Sequence, residues 1–407
     1  MRKRKRNKPS GSIITEEIKP KYPCTHIQPA EKIENNGHPS QKQSQQLEEP
    51  IMSFVWWLSP NKHENEIRFS IFQQVLHSLR KVDPMAKVNI FGSFMYGVGI
   101  PQSDLDLNVC TSHVEMSSVR GLSKCLRQSR AFMDFRVLKS AKVPIVKCKH
   151  RLSGISVDFT VNNVTGERTG MKAKALLDKY PASRAIVVFT KHLLRKKGLM
   201  DVSKGGISSF ALCLMTVSFL QRLQENCRFL DALIGFLCYY GHVFDHLTSV
   251  INVGNGSLLR KSAGFAADVV YVIDPTDHKN NVSKSCRSFA KIQHELRAVH
   301  HSLLTMQHRH NVNMGARLLQ LSIPDRRLFA ERAVLNRYAA SDTGAGVSGR
   351  LMDERNFVSH ICPPEEMWKW KESAEKLFAK EKNAREGGTV QIRKKKPCLR
   401  SALISAS

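Results

Sequence analysis

Acidic residues are scarce in this chain: 35 Asp and Glu face 63 Lys and Arg over 407 residues, leaving a net charge of +28. A surplus of that size builds a strong positive field and points to a polyanionic partner, most often nucleic acid. Long apolar runs are also missing. The most apolar stretch, 207–220, falls short of the about 18–20 residues a membrane span needs, and no lipidation motif is present, so no membrane partner is expected. The ten cysteines form no Cys-x-x-Cys pair and no Cys/His set at zinc spacing. With no secretory leader pattern, they argue for a reducing compartment, and Cys213 and Cys238 read as small core hydrophobes. His294 and His300 stand six positions apart, so they do not share a helix face as the four-residue spacing of a zincin motif requires. No RNA-binding module is recognisable.

The ends differ from the middle. Residues 2–8 hold six Lys and Arg, and the polar stretch to about Glu48 lacks periodicity, so it reads as disordered. A second basic cluster, Arg393 to Lys396, lies near the other end. Both suit nuclear import or RNA tethering, with a solvated tail as the plain alternative. Order is expected from about residue 50. Ser59-Pro60 reads as a helix start, and Ile67, Ile71, Val75, Leu79 and Val82 repeat at helical spacing until Asp83-Pro84.

The chemistry begins at Phe91-Gly92-Ser93, followed eleven residues later by Asp104-Leu105-Asp106. Polar and apolar residues alternate from 104 to 109, which predicts a strand with Asp104, Asp106 and Asn108 on one face and Leu105, Leu107 and Val109 on the core face. Residues 116–134 read as a helical region, after which two strands meet at Ser153-Gly154. The second of them carries Asp158 on its polar face, with Ile155, Val157, Phe159 and Val161 facing inward.

Carboxylates about 7 Å apart on one strand face repel when ionised, and a divalent ion relieves them. Three acids on sheet faces suit two-metal nucleotidyl transfer: Asp104 and Asp106 would bridge both ions, and Asp158 would hold the one nearest the attacking hydroxyl. Gly92 lets the backbone approach a phosphate, and Ser93 adds a hydroxyl donor. Farther on, 183–197 is an amphipathic helix closed by Gly198, on which Lys191 and Arg195 stand one turn apart. They could clamp a triphosphate or form a solvated face. The stretch 207–220 is apolar nearly all round and predicts a buried helix, and 229–240 reads as another.

This ordered set resembles the nucleotidyltransferase superfamily of DNA polymerase β, with its Gly-Ser turn, Asp-x-Asp strand and distal Asp. Within it the chain looks like the noncanonical poly(A) polymerases, in the branch that works in the nuclear TRAMP complex. The resemblance runs from about Glu49 to about Leu304, through 54–60, 91–109, the Lys204-Gly205-Gly206-Ile207-Ser208-Ser209-Phe210 segment, Phe219-Leu220-Gln221, and Ile273 to Val282. It implies an α+β architecture: a small mixed-sheet catalytic domain plus a mainly α-helical central (PAP-associated) domain, with disordered basic termini. The expected boundaries are 1–48 for the basic N-terminal region, 49–85 for helices packing on the core, 86–168 for the catalytic domain, 169–325 for the helical domain and 326–407 for an extension and basic tail.

The resemblance also assigns roles. Ser209 would touch the triphosphate, and Phe210 would stack on the base where the family usually has Tyr, keeping the ring and losing the hydroxyl. Asn163 resembles the residue that reads the ribose, and Lys191 and Arg195 fall in place as the triphosphate clamp. Asp277 and Asn280 would point toward the base edge. Uridylyl-transferring relatives often carry His where Asn280 aligns, which leans toward ATP, although a small shift would bring His278 there. The implied activity is template-independent adenylation of single-stranded RNA 3′ ends in the nucleus, with ATP and Mg²⁺ or Mn²⁺. A zinc-knuckle RNA-binding protein and an RNA helicase would be partners. A uridylyltransferase with the same machinery and a catalytically silent RNA-binding scaffold are the alternatives.

Overall fold

A computed structural model describes residues 54–307 apart from 142, 224–228, 255, 257 and 262–267, together with Met52 and Leu335. The basic clusters at both ends, and Trp368 and Trp370, lie outside the described residues. Helix α1 (Lys62–Arg80) starts two residues later than Ser59-Pro60 suggests, because Asn61 and Glu64 form a capping box. Asn61 Oδ1 accepts from the Glu64 N–H at 2.8 Å, and Glu64 Oε2 accepts from the Asn61 N–H at 2.7 Å. Its Ile67, Ile71, Val75 and Leu79 are buried, as the spacing predicts.

Five strands follow: β1 (Lys87–Phe91), β2 (Leu105–Cys110), β3 (Phe132–Leu138), β4 (Ile145–His150) and β5 (Ser156–Val161). They form one mixed sheet in the order β1-β2-β5-β4-β3, in which only β2 and β5 run parallel. A single helical turn, α2 (Gly92–Met95), leaves the end of β1. The helix expected over 116–134 is shorter: α3 spans Val119–Gln128, and Arg130 (φ 56°) turns the chain into β3. Leu105, Leu107, Val109, Val157 and Phe159 are fully buried in one cluster with side chains from α1 and α3, which leaves the opposite, polar face for the site. Leu335, from the C-terminal extension, belongs to the same core.

The second unit comprises α4 (Val164–Asp178), α5 (Ala182–Lys196), α6 (Ser209–Leu220), α7 (Phe229–Cys238) and α8 (Phe289–Gln307). Helix α6 runs through the main apolar core: ten consecutive residues, Ala211 to Leu220, are buried, as its all-round apolar sequence requires. Phe54, Val55, Trp57 and Leu58 join that core rather than the sheet's. The unit also holds a second sheet of β6 (Ser249–Ile251), β7 (Leu258–Arg260), β8 (Tyr271–Asp274) and β9 (Asp277–Asn281), in the order β7-β6-β8-β9. Strands of three to five residues are too short for alternation to declare them in a sequence.

Candidate active site

Sheet register brings the acids together. Asp106 on β2 is the direct Cα partner of Asp158 on β5 and, on its other side, of Phe91 on β1. The row continues through Lys147 on β4 to Arg136 on β3. One line of side chains therefore crosses all five strands on the polar face, with acids at its centre and bases on one flank. Asp104 stands just before β2 rather than within it, two residues from Asp106.

Electrostatics mark this row as strained without a cation. Burial, then the neighbouring carboxylates of Asp158 and Asp104, push Asp106 up to about 8. Burial also raises Asp158, with Lys147 pulling the other way. The Lys147 ammonium is in direct contact with Asp158 Oδ2; burial works against its charge, but the carboxylates of Asp158, Asp104 and Asp106 together leave the amine raised. Among the described residues no three His, Cys, Asp or Glu side chains are already gathered on one point. Hard carboxylate oxygens nonetheless suit Mg²⁺ or Mn²⁺, and the mutual repulsion on Asp106 is what such an ion relieves. The residues fit the ions provided Lys147 yields Asp158.

Gly92 is fixed by two constraints. Its φ is +69°, and a Cβ there would stand 2.6 Å from Asp106 Cγ and closer still to Oδ2. It opens α2, in which Ser93 is buried and its carbonyl accepts from the Val98 N–H at 3.0 Å. The same turn packs against α6. Ser209 is the first residue of α6, after the Ser208 cap, and Phe210 rests half-buried on the helical core.

Asn163 follows β5 and caps α4, its Oδ1 accepting from the Gly166 N–H at 3.2 Å. Asp277 and Asn280 lie on β9. Asp277 Oδ1 accepts from the Lys279 N–H at 3.2 Å, while Asn280 Nδ2 donates to Asp274 Oδ2 at 3.0 Å. His278 is exposed on the same strand. The β8–β9 turn reaches the catalytic side, where Arg168 on α4 donates to the Thr276 carbonyl at 3.5 Å.

Lys191 and Arg195 both reach the loop that precedes Asp104, Lys191 from a buried position and Arg195 from an exposed one. Lys191 is buried and donates to the Val98 carbonyl at 3.2 Å and to Ser103 Oγ at 2.8 Å; burial brings it down to about 8. Arg195 donates to the Gln102 carbonyl at 3.0 Å. Arg68 on α1, fully buried, donates to the Pro101 carbonyl at 2.9 Å and that of Ser103 at 3.5 Å. Three cations from two helices thus hold the loop that delivers Asp104. Sequence reasoning missed Arg68 and Lys147. Lys147 had a signal in the Lys147/Lys149 alternation beside Ile145, but only the strand pairing sets it against Asp158.

A mixed sheet with a Gly-Ser turn and carboxylates on adjacent parallel strands defines a nucleotidyltransferase palm. Within that class, residues 47–180 match the family model described as the central palm domain of mitochondrial-like poly(A) RNA polymerase. The chain is 28% identical over 261 residues to the poly(A) RNA polymerase cid14 of Schizosaccharomyces pombe, covering 60% of this chain and 38% of that protein. It is 30% identical over 259 residues to the inactive non-canonical poly(A) RNA polymerase protein Trf4-2 of Drosophila melanogaster, covering 59% and 63%. The chain therefore spans less than two thirds of these curated relatives. The polymerase core of TRAMP, an RNA surveillance complex, has the same fold, with a TM-score of 0.58 at 21% identity over 74% of this chain and 99% of that one.

Proposed function

We propose that this chain is a template-independent RNA 3′-adenylyltransferase that uses ATP with Mg²⁺ or Mn²⁺. The observation that carries the reading is the Asp106–Asp158 pairing across parallel strands with Gly92 pressed against Asp106. Asp104, Asp106 and Asp158 would hold the ions. When bound, the ions lower the pKa of the attacking 3′-hydroxyl and neutralise the triphosphate.

The chain's own residues do the rest. Lys147 pairs with Asp158 and would compete with an ion for that carboxylate. Ser93 and Ser209 offer hydroxyls to the phosphates, Asn163 meets the ribose, and Phe210 supplies a ring for the base. Asn280, with Asp277 nearby, stands where the base edge is read, and favours ATP over UTP. Lys191 and Arg195 would serve the triphosphate with the N–H donors that the 98–103 loop does not use. Single-stranded RNA 3′ ends are the acceptor. The basic clusters suit work in the nucleus in a TRAMP-like assembly, with a zinc-knuckle protein and a helicase supplying the RNA-binding surface.

The likeness to an inactive relative supports a second reading, a silent RNA-binding scaffold. The presence of all three acids favours catalysis. Purified protein, an RNA with a free 3′-hydroxyl, Mn²⁺ or Mg²⁺ and single NTPs decide between them. Extension with ATP supports adenylation, and extension with UTP alone refutes it in favour of uridylylation. No extension, with or without a zinc-knuckle partner, selects the scaffold. Full activity in Asp104→Ala would sink the metal assignment.

A further inference from the structure

One strand step beyond the acid row, on the same face, lies a second row: Asn89 on β1, Asn108 on β2 and Thr160 on β5, each the direct Cα partner of the next. Asn108 is fully buried, and both ends of its amide are used. Its Oδ1 accepts from Thr160 Oγ1 at 2.9 Å and from the Asn163 backbone N–H at 2.9 Å. Its Nδ2 donates to Glu167 Oε1 at 2.6 Å, and the same oxygen accepts from Asn89 Nδ2 at 2.8 Å. Glu167 comes from the first turn of α4, the helix that Asn163 caps.

An amide side chain is nearly symmetric in shape, so its neighbours decide which end faces which way. A carboxylate only accepts. Glu167 therefore fixes the Asn108 amide with its nitrogen toward α4 and its oxygen toward Asn163. Were Asn108 turned over, its NH₂ would meet the Asn163 N–H, donor against donor. The Asn163 side chain is confined in turn: its Oδ1 is taken by the Gly166 N–H, and a Cβ at Gly166 would stand 2.8 Å from Asn163 Nδ2, so that position has room for the amide only without a side chain. With the oxygen turned inward, Nδ2 is the end left to donate to a ligand.

We infer that Glu167, acting through Asn108, is a positioning residue for Asn163: it holds the Asn163 backbone where the side-chain amide, turned by Gly166, donates to a ribose hydroxyl. This rests on the nucleotidyl-transfer reading above, in which Asn163 meets the sugar. Glu167 touches no substrate; it sets the polarity of the layer that carries Asn163.

The test compares ATP with 2′-deoxy-ATP in Mn²⁺, by kcat/KM for RNA extension and by nucleotide-induced thermal stabilisation, in wild type, Asn163→Ala, Glu167→Leu and Glu167→Gln. Gln still offers one oxygen to both amide donors, so Glu167→Gln should keep the preference for the ribose form. Glu167→Leu should lose about tenfold of it, the worth of one hydrogen bond, as Asn163→Ala should. A merely structural role would lower the melting temperature without changing the ratio of the two sugars. Undiminished discrimination in Glu167→Leu, while Asn163→Ala loses it, overturns the positioning role and leaves nucleotidyl transfer standing. A wild type that neither extends RNA nor is stabilised by either nucleotide overturns both. If Glu167→Leu does not fold, Glu167→Ala, which admits water at this half-buried position, gives the same reading.

Discussion

Replacing Gly92 with Ala separates backbone strain from displacement of a catalytic carboxylate. Three glycines share nearly the same left-handed backbone: Gly92 at φ +69°, Gly154 at +71° and Gly198 at +70°. An L-residue there costs about 1–2 kcal/mol in each case. At about 2–4 °C of melting temperature per kcal/mol for a domain of this size, each Ala variant should lose about 2–8 °C. Their surroundings differ. A Cβ at Gly154 or Gly198 meets nothing within 4 Å, whereas at Gly92 it would stand 2.6 Å from Asp106 Cγ. Asp106 sits between β1 and β5 in the sheet and cannot retreat without moving its strand, so its carboxylate must swing off the row. Displacing a reacting group by about 1 Å costs on the order of 100-fold in rate. Gly92→Ala should therefore lose at least that in kcat for RNA extension and bind Mn²⁺ more weakly, while Gly154→Ala and Gly198→Ala stay within a few-fold of wild type at comparable melting temperatures. Activity of Gly92→Ala within about threefold of wild type would refute the close approach, and equal losses in all three would refute its specificity.

Arg68→Met keeps the length of the side chain but orphans the Pro101 and Ser103 carbonyls, at about 1–3 kcal/mol each; the loop ahead of Asp104 should loosen, lowering kcat with little change in the KM for RNA, and Arg68→Lys should restore part of it. Lys147→Met removes the cation seated on Asp158, so Mn²⁺ followed by electron paramagnetic resonance should bind several-fold more tightly; unchanged affinity would mean that the ion pair does not compete. Burial holds the His150 imidazole down at about 4, below its ordinary 6.5. Because the folded-state value is the lower one, the stability it confers is present above pH 6.5 and is lost as pH falls toward 4. Thermal melts should decline over that window, and His150→Gln should flatten the decline.

The acids were legible because strand alternation is a local property. Asp106 and Asp158 each sit opposite a run of apolar side chains that has to be buried, so the face they occupy follows from their own few neighbours. What alternation cannot supply is which strands pair. Lys147 and Arg136 extend the row only because β4 and β3 lie beyond β5, an order that skips along the chain. The shortened α3 has a comparable origin: the left-handed Arg130 ends a segment whose composition alone does not mark the break. The short second sheet was hidden because three-residue strands carry no period.

Lys191 and Arg195 show where helical spacing stops being informative. Their placement on one side of α5 is real, but spacing cannot say whether that side meets solvent, a phosphate or backbone carbonyls. Here it meets the 98–103 loop, and burial brings the Lys191 ammonium down to about 8. The ammonium has three donors and gives two of them to Val98 and Ser103, which leaves one for a triphosphate. Arg68 ties the Pro101 carbonyl from another helix, apart from Lys191 and Arg195. Arg68 carries no motif of its own; a charged residue within a helical apolar stripe reads as a solvated position until the loop that covers it is in place. Its burial, rather than any pattern around it, gives the loop a tie that the nucleotide clamp does not share.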